Sequence, residues 1–593
     1  MTVTKSTYKT GGSFIVNPIT EATVFSREDF TEEHSEIYEM VKEFDKERIL
    51  AQKEEIEKFD KDLSLSLIKE MGELGLLGID VPEEYGGMDL DKVTTAIVAE
   101  ALTFSPSFSV TWSVQTGIGS LPIVWFGTPE QKEKYLPKIV TGEVICAYGL
   151  TEPSAGSDAL SGKTTAMLSD DGKHYILNGE KIFITNGGWA DVFIVFAKVD
   201  GSKFSAFIVD RDTEGFTIGA EEKKMGMKGS STTSLIFQNA KVPVENLLYN
   251  VGKGATIAFN VLNIGRFKLG AAGVGGSKNG IEAAAQYAME RRAFGKPIAQ
   301  FDAIIKKIAD MTVRTFAADS MVYRTIGLLQ NEIDELDKSD PNYYIHLGEA
   351  MEKYAIETSM AKVYGSETCH FVINEGLQIF GGYGFLEEYP MASAYRDDRI
   401  NQIWEGTNEI NRQIITGFMM KKALMEELPI RDAISSIEHF MSNGKLEENE
   451  GPLSAECETI ETGKRLALYI FNEALNRFGQ DLKHEQQITE ILADIFMDLY
   501  TAESAVIRAQ KIMNDGNLDR TVNSIVKIFT AEMVLRLLNM SLTAMNGIYS
   551  GHTTPKVIDQ LRHFQARMLL PTDIINLKRE VAQRIYNQNT YPF

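Results

Sequence analysis

The spacing of hydrophobic residues predicts a chain that is helical at both ends and rich in strands in between. Ile37, Met40 and Phe44 recur at intervals of three and four residues, as the apolar face of a helix does. The same period recurs in two further segments, 91–104 and 129–140. Up to about residue 146 we therefore expect a mainly helical domain, preceded by a loosely held polar tail over residues 1–26.

Short segments rich in Ile, Val and Phe replace the helical period after residue 146. Glycine and aspartate clusters separate them, a pattern typical of antiparallel strands in a compact sheet or barrel. The predicted strands are 174–179, 181–186, 192–199, 204–211 and 234–244.

Helical spacing returns from about residue 252 and continues towards the C-terminus. A long first helix carries small residues that permit close packing, and helices at about 301–331, 343–376 and 407–424 follow it. Residues 442–463 are acidic and rich in turn formers, so we predict a linker there. A further helical block follows the predicted linker.

These patterns together predict an α+β protein, and a length of 593 residues accommodates several domains. We expect an N-terminal helical domain, a central β-sheet or barrel domain, a four-helix bundle and an appended helical domain. The predicted boundaries are 1–26 for the tail, then 27–146, 147–251, 252–425 and 426–593 for the four domains.

Composition narrows the classes of function. The chain carries 60 Lys and Arg residues against 83 Asp and Glu residues, a formal net charge of −23. This balance disfavours nucleic-acid binding, which needs clustered cations, and also constitutive binding to an anionic membrane. No run of 18 apolar residues is present, so no transmembrane helix is expected.

Cysteine and histidine usage points away from disulfides and metals. Cys146, Cys369 and Cys457 are far apart and odd in number, which favours a reducing compartment. The eight histidines show no metal-binding spacing, so no metal site is predicted. Because the N-terminus also has no apolar stretch typical of a secretory signal, a cytoplasmic protein is the simplest expectation.

The segment Tyr148–Asp158, with sequence YGLTEPSAGSD, carries the most informative chemistry. It joins the predicted helical and strand regions and is dense in hydroxyl groups and glycines. Such a loop can bring hydroxyls and backbone N–H groups to a polar ring edge and to phosphates. From residue types alone, an ordinary surface loop is an equally good interpretation.

Two other segments superficially resemble nucleotide-binding loops. Ser161–Thr164 ends like a phosphate loop, but Ser157 stands where that motif needs glycine. The glycines near 270–276 lack the G-x-G-x-x-G spacing and lie within a helical pattern. We predict packing or turn glycines in both segments.

The Tyr148–Asp158 segment is similar to the signature of the acyl-CoA dehydrogenase family, and further family motifs follow in order. The resemblance extends over about residues 30–420, and several motifs in order are far more specific than any one alone. The extra helical block resembles that of the long- and very-long-chain branch. The further motifs are Lys181–Gly188 (KIFITNGG), Asn263–Arg266 (NIGR), Glu290–Lys296 (ERRAFGK), Gln378–Phe385 (QIFGGYGF) and Ile403–Ile410 (IWEGTNEI).

The resemblance implies FAD as a non-covalently bound cofactor. Many relatives have Trp at the position of Phe183, and Asp302 stands where relatives often have Gln, which weakens one expected hydrogen bond to FAD. The residues implied at the chain's own FAD are Tyr148, Leu150, Thr151, Gly156, Ser157, Phe183, Thr185, Thr407 and Glu409. The residues implied to reach the FAD of a partner subunit are Arg291, Phe294, Gln378, Gly381 and Gly382.

The resemblance makes Glu405 the candidate general base. Removing a proton next to a thioester carbonyl requires a carboxylate of raised pKa in an apolar pocket, and Trp404 is an apolar neighbour. Without the resemblance, a solvated glutamate near a helix start would be the better interpretation. Some relatives carry the base just before the arginine of the Asn263–Arg266 motif. Gly265 holds that position here and has no side chain, which strengthens the assignment to Glu405.

The resemblance also implies contacts with the substrate. Asn263 and Arg266 resemble residues that bind the CoA portion, Ser157 would contact the pantetheine arm as well as FAD, and Gly406 would allow close approach. Residues 114–119 (VQTGIG) lie where the family's acyl channel ends. Their small side chains could leave room for a long acyl tail, and tight helix packing explains them equally well.

The expected activity is the α,β-dehydrogenation of long-chain fatty acyl-CoA to trans-2-enoyl-CoA, the first step of fatty acid β-oxidation, with electrons passed to an electron-transfer flavoprotein. Two alternatives stay open: an acyl-CoA oxidase that uses O₂, and a non-enzymatic scaffold that keeps the fold. The appended block suggests a homodimer in place of the family's usual tetramer. In membrane-associated relatives this block contains a surface-binding helix, but the acidic linker favours a soluble protein here.

Overall fold

Seven α-helices precede the first strand in the computed structural model, which describes residues 9–443, 451–514 and 519–593. Thr31, Asp60 and Asp91 start three of them, because each side chain accepts a backbone N–H three residues later. The predicted helical character of this region is confirmed. The helices are α1 Glu32–Phe44, α2 Lys53–Glu57, α3 Lys61–Glu73, α4 Lys92–Ala101, α5 Pro106–Gln115, α6 Leu121–Phe126 and α7 Pro129–Val140.

Eight strands then form one sheet within the described residues. They are β1 Cys146–Gly149, β2 Thr165–Leu168, β3 His174–Thr185, β4 Val192–Val199, β5 Lys203–Asp210, β6 Phe216–Glu221, β7 Thr232–Pro243 and β8 Leu247–Leu248. Their order is β6-β7-β3-β2-β4-β5-β8, with β1 also pairing with β4. β4 is buried almost throughout, as expected for a strand with neighbours on both sides.

The sheet differs from the sequence prediction in two respects. β1 and β2 run parallel to β4, so the sheet is not purely antiparallel. The two strands predicted at 174–179 and 181–186 are one strand, β3. Its pairing with β7 shifts register between Leu177 and Gly179 and again between Lys181 and Ile184. These irregularities let a single strand change direction without ending.

A second helical domain follows the sheet and is centred on two long helices. Its elements are α8 Gly254–Glu290, the strands β9 Arg292–Ala293 and β10 Lys296–Pro297, α9 Asp302–Asp334, α10 Tyr343–Lys353, α11 Ala355–Phe380, α12 Pro390–Asp398 and α13 Asn408–Leu424. A Cβ built on Gly270 would lie 2.9 Å from the carbonyl oxygen of Ala361, and one on Gly273 would lie 2.7 Å from that of Gly365. The glycines near 270–276 therefore allow α8 and α11 to approach closely, which confirms them as packing glycines.

The appended domain is helical, as predicted, but the linker prediction is partly wrong. Its helices are α14 Ile430–Asn443, α15 Ser454–Phe478, α16 Gln486–Asn514, α17 Arg520–Ile548, α18 Pro555–Met568 and α19 Ile574–Gln588. α15 includes residues 454–463 because Cys457 and Ile460 are buried in the core. Residues 444–450 of the predicted linker lie outside the described residues. No helix in the described ranges is long and apolar enough to cross a membrane.

The segment 9–26 is packed, contrary to the prediction of a loosely held tail. Phe14 is buried, with its ring 5.0 Å from that of Tyr500 in the appended domain. The backbone N–H of Gly12 donates to Glu357 of α11 over 2.6 Å. The N-terminal segment therefore connects α11 to the appended domain. Its few apolar residues did not form a periodic pattern from which this packing could be predicted.

A buried network of charges joins the domains. Asp319 of α9 accepts hydrogen bonds from Arg27 over 3.0 Å and from Arg508 of α16 over 2.8 Å. Lys278 of α8 donates to Glu100 of α4 over 2.9 Å. The arginines and Lys278 hold the pKa of Asp319 below its usual range despite burial. Because buried charges are costly unless paired, this network constrains how the domains fit together.

Candidate active site

Glu405 lies in a strained turn that precedes α13. Its φ is +57° and that of Gly406 is +79°, so two consecutive residues are left-handed. This region costs energy for a residue with a side chain and persists only where the surroundings impose it. Asn411 donates from Nδ2 to the carbonyl oxygens of Gly406 over 2.8 Å and Thr407 over 3.1 Å. The first turn of α13 therefore helps to hold the Glu405 backbone in place.

The carboxylate of Glu405 lies against the backbone of α8. Its Oε2 atom is buried and has no hydrogen-bond partner among the described residues. A Cβ built on Gly265 would lie 2.6 Å from that Oε2 and 2.7 Å from Cδ. Any side chain at position 265 would therefore occupy the space that the carboxylate takes. Some relatives carry their base at the position of Gly265; here the absence of a side chain at that position leaves room for the Glu405 carboxylate.

Burial raises the pKa of Glu405 to about 7. Loss of hydration is the largest cause, since it disfavours the charged form. Three cations act in the opposite direction, Arg266 and Lys268 on α8 and Lys362 on α11. A carboxylate with a pKa near neutrality can take a proton from substrate and release it again near neutral pH.

Arg266 lies beside this turn, with Asn263 as its hydrogen-bond partner. Arg266 is buried and donates from a guanidinium N–H to Oδ1 of Asn263 over 2.8 Å. Its Nε lies 3.5 Å from the carbonyl oxygen of Glu405. Burial lowers the pKa of Arg266 to about 10, with Glu405 opposing. The structure therefore brings the NIGR motif and the Glu405 turn into one site.

Tyr148 brings the central sheet to the same site. It stands in β1, is buried, and its hydroxyl has no hydrogen-bond partner among the described residues. Burial raises the pKa of Tyr148 well above its ordinary value, and the nearby charge of Glu405 raises it further. The sequence loop that begins at Tyr148 and the Glu405 turn thus face each other across the boundary between the sheet and the helices.

The loop after Tyr148 is fixed against β3. The backbone N–H of Ile182 donates to the carbonyl oxygen of Thr151 over 2.9 Å. Lys181 donates to Glu152 over 2.6 Å in a buried ion pair. Glu152 also accepts from the backbone N–H of Thr164. These contacts order the loop from within and leave its far end, with Ser157, exposed.

Phe183 stands at the second irregularity of β3 and points outward. Its φ is +58° and it is 62% exposed, which is unusual for a phenylalanine in a sheet. Thr185, two residues further on, is half-buried. The bulge between Lys181 and Ile184 leaves Phe183 exposed instead of burying it in the core, and the preceding residue, Ile182, is bonded to Thr151.

These surfaces fit FAD. The exposed ring of Phe183 offers a flat apolar contact, and the hydroxyls of Thr151 and Ser157 offer hydrogen bonds. A Cβ built on Gly156 would meet nothing within 4 Å, so the loop has open space for a ligand. The buried Nε1 of Trp404 has no hydrogen-bond partner among the described residues. Leu150 is part of the same loop, and Thr407 and Glu409 lie at the start of α13.

The remaining predicted cofactor residues lie elsewhere on the protein. They are Arg291, Phe294, Gln378, Gly381 and Gly382, on the β9–β10 hairpin and at the end of α11. The Arg291 guanidinium lies 5.4 Å from the ring of Tyr383, and Phe294 is 94% exposed. On α11, Gln378 follows Lys362 by 16 residues, which is about 24 Å at the rise of an α-helix. This set is therefore too far away to share one flavin ring with Glu405 of the same chain.

Three polar residues of the site were not predicted from the sequence. Lys362 donates to the carbonyl oxygen of Gly406 over 2.9 Å, and Asn411 supports the same turn. Lys268 is buried, donates to Thr116 over 3.0 Å, and lies 4.3 Å from the ring of Trp112. The sequence does offer one signal for Lys268, which is a lysine within an otherwise apolar helix of small residues. Such a lysine needs polar partners when it is buried.

Close packing accounts for the small residues of 114–119. A Cβ built on Gly119 would lie 2.7 Å from the Cβ of Cys146. Gln115 donates to the carbonyl oxygen of Val144 over 2.8 Å and accepts from the backbone N–H of Cys146. These residues attach α5 to the first strand. Their role in acyl-chain length stays a prediction.

Comparison with known proteins identifies the family to which this chain belongs. Family models described as acyl-CoA dehydrogenase match most of the chain. The N-terminal domain model matches residues 31–143, the middle domain model 147–240, and two C-terminal domain models 252–420 and 462–563.

Individual relatives agree with the family models. A probable acyl-CoA dehydrogenase of Bacillus subtilis (strain 168) is 43% identical over 584 residues, covering 98% of each chain. The mitochondrial very long-chain specific acyl-CoA dehydrogenase of Rattus norvegicus is 33% identical over 79% of this chain and 72% of its own. The crystal structure of acyl-CoA dehydrogenase complexed with FAD from Bacillus anthracis has a TM-score of 0.95 at 43% identity, covering 98% of this chain and 100% of that one. The resemblance predicted from the motifs is confirmed: the chain belongs to the acyl-CoA dehydrogenase family of FAD-dependent oxidoreductases.

Proposed function

We propose that this enzyme converts long-chain fatty acyl-CoA to trans-2-enoyl-CoA and that Glu405 removes the α-proton. The Glu405 carboxylate carries the proposal. Its Oε2 is buried without a partner among the described residues, and burial raises its pKa to about 7. A carboxylate satisfied by ion pairs would have little tendency to accept a proton from carbon, whereas this one is both basic enough and unengaged.

In the proposed reaction, residues of this chain bind FAD and the acyl-CoA and remove the α-proton. FAD, when bound, accepts the β-hydrogen as hydride. By analogy with the family, the backbone N–H of Glu405 would donate to the thioester carbonyl oxygen. That N–H donates no hydrogen bond within the described residues. Such a donor stabilises the negative charge that develops on the oxygen as the α-proton leaves.

Residues from two domains would hold the cofactor and the substrate. Thr151, Thr185 and Phe183 would contact the flavin, and Ser157 would reach its phosphates and the pantetheine arm. Asn263 and Arg266 would bind the CoA portion, as the family motif implies. The junction at which Tyr148 meets Glu405 would then exclude water from the reacting carbons, since the Tyr148 hydroxyl and Oε2 of Glu405 are both buried.

Preference for long acyl chains is supported by the appended helical domain and by the rat very long-chain relative. We further propose a homodimer in which Arg291, Phe294, Gln378, Gly381 and Gly382 contact the partner's FAD. Gln378 lies about 24 Å along α11 from Lys362, which contacts the Glu405 turn, and this separation supports the arrangement. An electron-transfer flavoprotein is the proposed electron acceptor.

An anaerobic spectral titration tests the reaction. Purified holoenzyme is mixed with saturated acyl-CoAs of increasing chain length while the flavin absorbance is followed. Strong bleaching with long chains and weak bleaching with short ones is expected. A flavin that no acyl-CoA bleaches would contradict the proposal and favour a scaffold.

The role of Glu405 needs its own variant. Glu405→Gln should retain FAD and lose bleaching, because an amide cannot accept the α-proton. Glu388→Gln, which changes an exposed glutamate, is the matched control and should bleach normally. Normal bleaching by Glu405→Gln would exclude Glu405 as the base. Peroxide formation that exceeds reduction of an electron-transfer flavoprotein would indicate an oxidase.

A further inference from the structure

Lys362 is a buried cation that makes no ion pair with the described residues. It lies on α11 and is 0% exposed. Within the described part of the chain, no carboxylate lies within ion-pair distance of its Nζ, which instead donates to the carbonyl oxygen of Gly406 and, over 2.7 Å, to Oδ1 of Asn408. Burying an ammonium group on neutral acceptors is costly, and a methionine of similar length would fill the same volume without that cost. The cost suggests a role beyond packing.

Both acceptors of Lys362 belong to the turn that carries Glu405. The carbonyl oxygen of Gly406 also accepts from Asn411, so two donors from different helices fix it. Asn408 completes the link, because its Nδ2 donates to Glu367 of α11 over 3.0 Å. Lys362 therefore attaches the turn to α11 on both sides of residue 407.

We propose that Lys362 is a positioning residue for the base. Its ammonium group ties the strained turn to α11 so that the Glu405 carboxylate remains beside Gly265, and its positive charge favours the ionised form of that carboxylate. The inference rests on the proposed role of Glu405. Lys362 acts through the turn and through its charge and does not itself contact the reacting carbons.

The charge of Lys362 acts among several others. Glu405 faces Arg266 and Lys268 from α8, Lys362 from α11 and the Tyr148 hydroxyl from β1. Burial lowers the pKa of Lys362 to about 7, and the charge of Glu405 is the largest opposing cause. Arg266 lowers this pKa further, while Glu367 and Glu409 raise it to a smaller degree. Near neutral pH the charges of Lys362 and Glu405 therefore stabilise each other. Without Lys362 the pKa of Glu405 should rise, because one opposing cation is lost.

Two substitutions separate the hydrogen bond from the charge. Lys362→Met removes both, and Lys362→Gln keeps an N–H donor while removing the charge. For Lys362→Met we expect kcat to fall about tenfold or more, as for loss of a charged hydrogen bond, with little change in KM. For both variants the acid limb of kcat/KM should move to higher pH by about half a unit or more. Lys362→Gln should keep most of the wild-type kcat on the high-pH plateau.

Lys422→Met is the matched control. Lys422 is also buried, and it donates to Thr10 and Glu427 at the far end of α13. Its replacement should lower thermal stability without moving the pH limb. All variants are assayed as FAD-containing holoenzyme, with flavin content and melting temperature measured beside the kinetics.

The outcomes are distinct. An unchanged kcat and an unchanged pH limb in Lys362→Met would overturn the inference. If that variant fails to fold, the pH limb of Lys362→Gln decides, and an unmoved limb overturns the inference. Full turnover by Glu405→Gln would remove the proposed role of Glu405 as the base, on which this inference rests. Inactive Glu405→Gln together with a normal Lys362→Met would remove only the role of Lys362.

Discussion

Replacing Gly265 with alanine should displace the base without unfolding the protein. The new Cβ would lie 2.6 Å from Oε2 of Glu405, 2.7 Å from Cδ and 3.1 Å from Oε1. All three contacts fall on one carboxylate, which must move because the backbone of α8 is held by its own hydrogen bonds. An ordinary contact begins at 3.4 Å, so the required displacement is about 0.8 Å.

The size of the effect follows from this displacement. A shift of about 1 Å in a reacting group costs up to about a hundredfold in rate. We therefore expect flavin reduction to slow by about tenfold to a hundredfold, equivalent to about 1.4–2.7 kcal/mol in the barrier. The free energy of unfolding should increase or stay unchanged, because alanine is favoured over glycine by about 1 kcal/mol inside a helix.

The assay is anaerobic stopped-flow reduction of the flavin by saturating long-chain acyl-CoA, together with thermal unfolding. Gly417→Ala is the matched control, since Gly417 lies within α13 and a Cβ built there meets nothing within 4 Å. The control should reduce its flavin at the wild-type rate. Reduction of Gly265→Ala at the wild-type rate would refute the placement of the carboxylate beside α8.

Four further predictions follow from burial and charge. Since the pKa of Glu405 is raised to about 7 and its ionised form is the base, kcat/KM should rise with pH through an acid limb near 7; a limb near pH 4.5 would show a solvated carboxylate. Burial raises the pKa of Glu357 to about 7, so the folded protein is stabilised while this carboxyl is protonated and loses that stabilisation as pH rises. Glu357→Gln has no proton to lose, so its melting temperature should increase relative to that of the wild type between pH 5 and 8. Asp319→Asn should destabilise the protein by about 3–5 kcal/mol in denaturant unfolding, because its buried cations lose their counterion. Arg579→Ala should leave the melting temperature unchanged, since the ion pair between Arg579 and Asp302 is exposed to solvent. A large drop in melting temperature would contradict this expectation.

The pair Asp302 and Arg579 also explains a departure from the family pattern. The sequence shows Asp302 where relatives often have Gln, and we expected a weakened hydrogen bond to the cofactor. In the structure both oxygens of Asp302 accept from Arg579 of α19, in the appended domain. The aspartate is thus matched to a residue 277 positions away, which no local pattern could have indicated.

Local patterns predicted the helices well because each helix carries its own evidence. Thr31, Asp60 and Asp91 cap their helices through contacts within three residues. Patterns failed where distant contacts decide. Residues 454–463 were assigned to a linker for their acidity, but Glu461 pairs with Lys464 and accepts from the backbone N–H of Ile19, which belongs to the N-terminal segment.

The sequence by itself determined the family, the cofactor class and the candidate base, because ordered motifs such as NIGR and WEGT are local strings with few alternative meanings. It also determined the alternation of helical and strand-forming parts, since periodicity reflects which face of an element is buried. Only the tertiary structure decided that Gly265 gives Glu405 its space, that Lys362 holds the turn, and that residues 9–26 are packed. Each of these depends on contacts between residues far apart in the chain, and burial, which shifts the pKa of Glu405, exists only once those contacts form.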